Sequence, residues 1–228
     1  MTSSCPICEI AATVRAKRER RKEARPGELL AAALELFVEK GFAATRVEEV
    51  AKRAGVSKGT LFLYFSSKEE LFKAVVRENI SGRFDEWNAQ FAHFEGSSAD
   101  MLRYGIQVWW ERIGATKAAG ITKLMLSEAR NFPELTSFYQ HEVIQPGTDL
   151  IQRVLQRGVD RGEFRPIDIR YGAYTLLAPM LFLAMASYSA LNPQLDPKQY
   201  IAVQVETILY GLSSQPAGSS PTQEPRTS

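Results

Sequence analysis

Residues Thr45 to Leu71 read TRVEEVAKRAGVSKGTLFLYFSSKEEL, and three successive helix starts can be placed within them. Val47, Val50, Ala51 and Ala54 recur at i, i+3, i+4 and i+7, one apolar face of a helix of about two and a half turns. Thr45 precedes that run and Glu48 lies three positions on, the spacing of a capping box. Gly55 follows the last periodic residue, where a left-handed backbone favours glycine, and Val56 is the apolar residue that folds back on the helix end. Ser57 then caps a second short helix, with Leu61 and Phe65 facing inward and Lys58, Gly59 and Phe62 facing out. Ser67 with Glu70 caps a third. Lys68, in its first turn, opposes the helix dipole there and is therefore expected to hold a phosphate.

Two short helices joined by a tight glycine turn form a helix-turn-helix, which places its second helix in the major groove of DNA. Upstream, Leu30, Ala33, Leu34 and Phe37 keep helical spacing and end at Lys40-Gly41, giving a first helix that buttresses the pair. Three helices of this size share one small core.

From Leu30 to Leu71 the chain resembles the N-terminal domain of the TetR/AcrR family of bacterial transcriptional repressors. The matching positions are Ala33, Leu36-Phe37, Gly41-Phe42, Thr45, Val50-Ala51, Ala54-Gly55-Val56-Ser57, Gly59, Leu61, Tyr64-Phe65, Lys68 and Leu71. Two positions depart: Phe62 stands where the family usually has tyrosine, and Leu63 where an aromatic is common. The resemblance implies that Lys58, Thr60, Tyr64 and Lys68 touch DNA. With the helix-start residues and the outward face, the expected DNA-binding set is Thr45, Arg46, Ser57, Lys58, Gly59, Thr60, Phe62, Tyr64 and Lys68. It also implies a ligand held in the body that shifts the helix after Phe65, alters the separation of two heads and lowers operator affinity.

The charge distribution agrees. Residues 1–80 carry 15 Lys/Arg against 11 Asp/Glu, and the remainder 13 against 15, so the basic half is the half with the motif. Arg15, Lys17, Arg18, Arg20, Arg21, Lys22 and Arg25 crowd the segment before Pro26-Gly27. Such an arm either lies along phosphates or is a solvated extension. Cys5 and Cys8 form a lone C-x-x-C, with His93 and His141 remote and out of ligand spacing, so no metal site and no cofactor are expected. No phosphate loop, nucleophile elbow or metalloprotease motif is present, which argues against an enzyme. The absence of a signal peptide or disulfide framework points to the cytoplasm.

At 228 residues and 45% hydrophobic content the chain can bury one small core and one medium one. Beyond Phe65 it reads as helical throughout, so the fold class is all-α. One long helix is expected from Ser67 to about Phe91, broken by Gly96-Ser97-Ser98. Further helices follow over about 100–113, 122–131 and from Glu134 to Gly158 or Gly162, the last kinked at Pro146. The stretch from Lys123 to Asp168, with EARNFPEL and RGEFRPID, resembles the effector domains attached to these regulators. The expected division is a basic arm over 1–26, a DNA-binding domain over 27–66, a linking helix with an effector and dimerisation domain over 67–212, and a disordered tail over 213–228.

Residues 172–191, GAYTLLAPMLFLAMASYSAL, carry no charge. Alone they pass for a membrane span, but Pro179, the polar residues and the lack of a second span favour burial, partly against a twin subunit. A homodimer through helices at about 168–190 and 198–212 is the expectation, because two recognition helices read a palindromic double-stranded operator. The effector is expected to be a small hydrophobic molecule held between helices, with Trp109, Trp110, Met125, Phe138, Tyr139, Tyr174, Met180 and Tyr188 as candidate lining. An operator-binding regulator without effector, and a membrane-anchored protein, are the alternatives.

Overall fold

The computed structural model describes residues 26–189 and 195–213, together with the side chains of these except at positions 188 and 189. The basic arm up to residue 25, the Cys5/Cys8 pair, the tail beyond Ser213 and the side chain of Tyr188 lie outside the described residues. The described residues are helical with no named strand; a single isolated bridge joins Phe164 to Ser213. They fall into two compact units. The head comprises residues up to Asn79 together with Gly120–Phe138, and the body comprises Ile80–Ala119 and Tyr139 onward.

The head is built on α1 (residues 26–44), α2 (Val47–Arg53), α3 (Lys58–Phe62) and α4 (Lys68–Asn79). Leu29, Ala33, Leu36, Phe37, Val50, Ala51, Leu61, Leu71 and Phe72 are all buried among them. Phe37, Phe42 and Phe72 close the centre, with ring centroids 5.2 to 5.6 Å apart, two of the three pairs edge to face. The head is larger than the 27–66 division expected from sequence. Helix α7 (Ala119–Glu128) and the start of α8 (Pro133–Tyr139) fold with it because Phe132 meets Phe42 edge-on at 4.7 Å. On the outer side of α4, Lys73 and Arg77 lie over the ring of Phe138 at 5.8 and 5.0 Å.

The single helix expected from Ser67 to Phe91 is instead two. Asn79 turns its amide back onto the carbonyl of Val75 at 2.8 Å, an i−4 bond that competes with the helix ladder. Ile80 leaves the helical region at φ −130°, ψ −72°, a 3-10 turn follows at Ser81–Arg83, and α5 runs Phe84–Ala92. The break coincides with the boundary between units.

In the body, α6 (Ser98–Trp109) is capped by Ser97, whose Oγ accepts from the amide of Asp100, and continues through a π-turn at Trp110–Gly114. The expected kink at Pro146 is resolved differently. Pro146 supplies no N–H, and the helix widens just ahead of it into a π-turn at Gln140–Ile144 before α9 (Gln145–Asp160). α10 (Ile169–Ser189) and α11 (Pro197–Leu212) complete the unit. Its core gathers Met101, Leu102, Ile106, Val154, Leu155, Phe164, Leu176, Met180 and Val205. Packing is close: a Cβ on Gly158 would stand 2.0 Å from the Phe164 ring. Arg157 ties the α5–α6 loop by donating to the carbonyls of Phe94 and Gly96 and to Ser98 Oγ.

α10 is long and apolar enough to span a membrane over Ile169–Ser187, and a third of that window is buried within the chain. Its exposed large side chains, Tyr171, Tyr174, Phe182 and Met185, recur at i, i+3, i+11 and i+14, one face of a helix. Val203 and Tyr210 of α11 are exposed at a spacing of seven.

Candidate nucleic-acid interface

The turn between α2 and α3 is set by backbone chemistry. Ala54 caps α2; the amide of Val56 donates to the carbonyl of Ala51 at 2.9 Å and that of Gly55 to Lys52 at 3.1 Å, the paired bonds of a Schellman motif. Gly55 sits at φ +68°, where a side chain is strained. Ser57 Oγ then accepts from the amide of Thr60 at 3.1 Å and lies 2.9 Å from the Thr60 hydroxyl. With Leu61 driven into the core, α3 shows Ser57, Lys58, Gly59, Phe62 and Leu63 to solvent. Thr60, Tyr64 and Lys68 are half-buried.

Lys58 is not idle in the free protein. Its Nζ lies 2.5 Å from Glu48 Oε1 and 5.7 Å from the Phe62 ring centroid. The hydrogen bond from Lys58 holds the Glu48 carboxyl below its usual range. Glu49 is lowered likewise by the hydrogen bond from Lys40, and Arg53 spans from α2 to Glu39 of α1 at 3.0 Å. Arg46 is exposed and is itself the N-cap of α2, with no side-chain cap bond.

Two residues expected to contact DNA are occupied elsewhere. Thr45 is 1% exposed, and its hydroxyl lies 2.7 Å from the Gly41 carbonyl and 3.1 Å from that of Leu36. It therefore ties the end of α1 rather than capping α2, and the expected Thr45–Glu48 capping box is not formed. Lys68 donates to the carbonyls of Phe42 at 2.9 Å, Thr45 at 3.2 Å and Ala43 at 3.3 Å, with the Phe42 ring 4.5 Å away. The ammonium thus neutralises the negative end of α1. The dipole of its own helix repels Lys68, but carbonyls at the end of α1, some 25 residues upstream, attract it. Ser67 does cap α4, accepting from the amide of Glu70 at 3.1 Å, while the Glu70 carboxylate turns to Lys73 at 2.8 Å.

The side chains expected to line an effector pocket are dispersed. Met125 and Phe138 belong to the head; Tyr139, Met180, Trp109, Trp110 and Tyr174 belong to the body. Met180 and Tyr139 are buried, Met180 within the core cluster, and Trp110 lies against Gly114. Of these side chains, Tyr174 borders a cavity of about 360 Å³ in the body, lined also by Gln140, Gln145, Thr148, Asp149, Gln152 and Arg170. Sequence reasoning missed the outward placement of Leu63, next to Phe62, and the joining of Phe132 to the head. The apolar FP within EARNFPEL was the available signal for the second.

An exposed, serine-capped helix behind a Schellman turn, braced by α1 and α4, is the geometry of a DNA-reading module. The model for bacterial regulatory proteins of the tetR family matches residues 29–75, and that for tetracyclin repressor-like C-terminal domains matches 95–196. The HTH-type transcriptional repressor KstR2 of Rhodococcus jostii (strain RHA1) is 29% identical over 198 residues, 85% of this chain and 93% of that protein. The HTH-type transcriptional activator FasR of Mycolicibacterium smegmatis is 48% identical over 59 residues, 26% of this chain and 27% of that protein. The crystal structure of the transcriptional regulator FadR from Bacillus subtilis in complex with stearoyl-CoA matches with a TM-score of 0.67 at 19% identity, over 81% of this chain and 98% of that one. With both halves matched to models of one family and the reading helix presented as that family requires, the chain belongs to the TetR family of DNA-binding transcriptional regulators.

Proposed function

We propose that this regulator is a cytoplasmic homodimeric repressor that binds a palindromic operator through paired α3 helices and leaves it when a hydrophobic small molecule binds the body. The observation that carries the operator reading is α3 itself: Leu61 anchors it in the core while Ser57, Lys58 and Gly59 stand exposed on a rigid turn. Arg46, Thr60, Phe62 and Tyr64 complete the contact surface, and Thr45 and Lys68 support it from behind. Dimerisation is supported by the apolar stripe of α10 with Val203 and Tyr210 of α11, a surface that a self-complementary two-fold contact would cover. The effector reading draws on the acyl-CoA complex of the FadR structure and on the apolar composition of the body helices.

A second reading, regulation without an effector, is favoured by the close packing around Gly158 and Phe164. Operator selection from a random duplex library, followed by gel shift with acyl-CoAs and apolar drugs, tests both. The proposal expects a palindrome, a dimeric complex and release by one ligand class. A selected palindrome that no ligand releases favours the second reading, and failure to select any sequence overturns both.

A further inference from the structure

The geometry points to an apolar mode of base reading: Leu63, with Phe62 beside it, contacts the C5-methyl groups of thymines in the operator major groove. This rests on the operator reading above and narrows it to a base. Leu63 is 83% exposed and Phe62 41%, directly after Leu61, which is fully buried. The outward placement of Leu63 is fixed by the backbone. Its own amide donates to the Thr60 carbonyl at 3.2 Å, and the amides of Tyr64 and Phe65 both close on Leu61 at 3.0 Å.

Isolated exposed apolar residues are ordinary on protein surfaces. This pair differs in its setting. It sits at the end of the reading helix, with the Lys58 ammonium near the Phe62 ring and exposed Ser57, Gly59 and Ser66 around it in sequence. So small and polar-framed a patch does not match the broad apolar area of a protein interface. Base edges in the major groove present donors and acceptors, and thymine alone adds a methyl. Neither leucine nor phenylalanine carries a side-chain hydrogen-bonding group, so the methyl is the one base-edge feature from which they gain discrimination. Phe62 stands where the family usually has tyrosine and Leu63 where an aromatic is common, so at Phe62 the hydroxyl is absent and apolar contact remains.

The test uses the full-length chain and its selected operator. Each thymine is replaced in turn by deoxyuridine, which pairs identically and lacks only the methyl. Loss of one buried methyl predicts about three- to fivefold weaker binding at one or two positions per half-site. In Leu63→Ala and Phe62→Ala, both exposed and tolerant of truncation, that sensitivity should vanish, each variant silencing its own thymine. Uracil tolerated at every position, or sensitivity retained in both variants, overturns the inference while leaving operator binding intact. Failure to select any operator overturns the operator reading itself, and this inference with it.

Discussion

The head and the body close helical cores of similar character with different chemistry. In the head, polar side chains at the helix ends are spent on backbone groups: Thr45 on α1, Ser57 on α3, Ser67 on α4, and Lys68 on the end of α1. In the body, the core is a run of aliphatic and sulfur side chains around Phe164. Polar side chains bond the backbone here at its edge, where Ser97 and Asp196 cap α6 and α11 and Arg157 donates to the carbonyls of Phe94 and Gly96. Between α10 and α11, Gln204 donates to the Leu176 carbonyl at 3.4 Å and Tyr200 to that of Pro179 at 3.3 Å. Directional bonds fix angles, and a reading helix must be held at a defined angle. Apolar contact tolerates repacking.

The largest expected effect is on the head's centre. Phe72→Ala removes a fully buried ring that touches both Phe37 and Phe42 and should cost about 3–5 kcal/mol. Chemical denaturation should show the loss, and DNA binding should fail with it. A body truncation of comparable size, Met180→Ala, should lower stability while leaving operator contacts unaltered at temperatures where the fold persists; equal damage to DNA binding by both would erase the distinction between units.

Next comes Lys68→Met, which leaves three carbonyls at the end of α1 without their cation and should cost about 1–3 kcal/mol. Because the ammonium is engaged within the protein, the salt dependence of operator binding should keep its slope. A slope reduced by about 0.9 per protomer would instead identify Lys68 as a phosphate ligand.

Lys58→Ala should weaken the operator complex about tenfold and lower that slope if the exposed Lys58 exchanges Glu48 for phosphate as proposed. Smallest is the effect of Glu48→Gln, which releases Lys58 beforehand and should tighten binding about threefold. The sign with pH follows from the lowered Glu48 carboxyl. The pair is complete above the ordinary carboxylate range and is lost as pH falls through the depressed value, so the advantage of Glu48→Gln should be full at neutral pH and shrink on acidification. An advantage that persists unchanged in acid would exclude competition for Lys58 as its origin.

Much of the head was legible because its signals are local. Ser57, Gly55 and Ser67 act on backbone groups within a few residues, and the heptad-like recurrence of Val47, Val50 and Ala54 needs no partner to be seen. Lys68 bonds across the fold, to carbonyls some 25 residues upstream that linear spacing brings nowhere near, whereas the Thr45 hydroxyl turns back onto the Gly41 carbonyl four residues earlier, a local alternative to the capping box. In the body, periodicity placed helices at about 100–113 and 198–212, close to the observed Ser98–Trp109 and Pro197–Leu212, whose Ser97 and Asp196 caps the structure added. The break at Ile80 and the π-turns at 110–114 and 140–144 were not placed, because apolar residues continue on both sides of each.

The sequence by itself determined the all-α class and the helix-turn-helix, since these depend on capping residues and periodicity that act over one or two turns, and the family through the resemblance of Leu30 to Leu71 to its N-terminal domain. Tertiary structure alone decided that Phe132 joins the head and that Lys68 turns its ammonium onto the end of α1. Those outcomes turn on which distant helix ends and rings meet, a matter of three-dimensional packing that no spacing along the chain encodes.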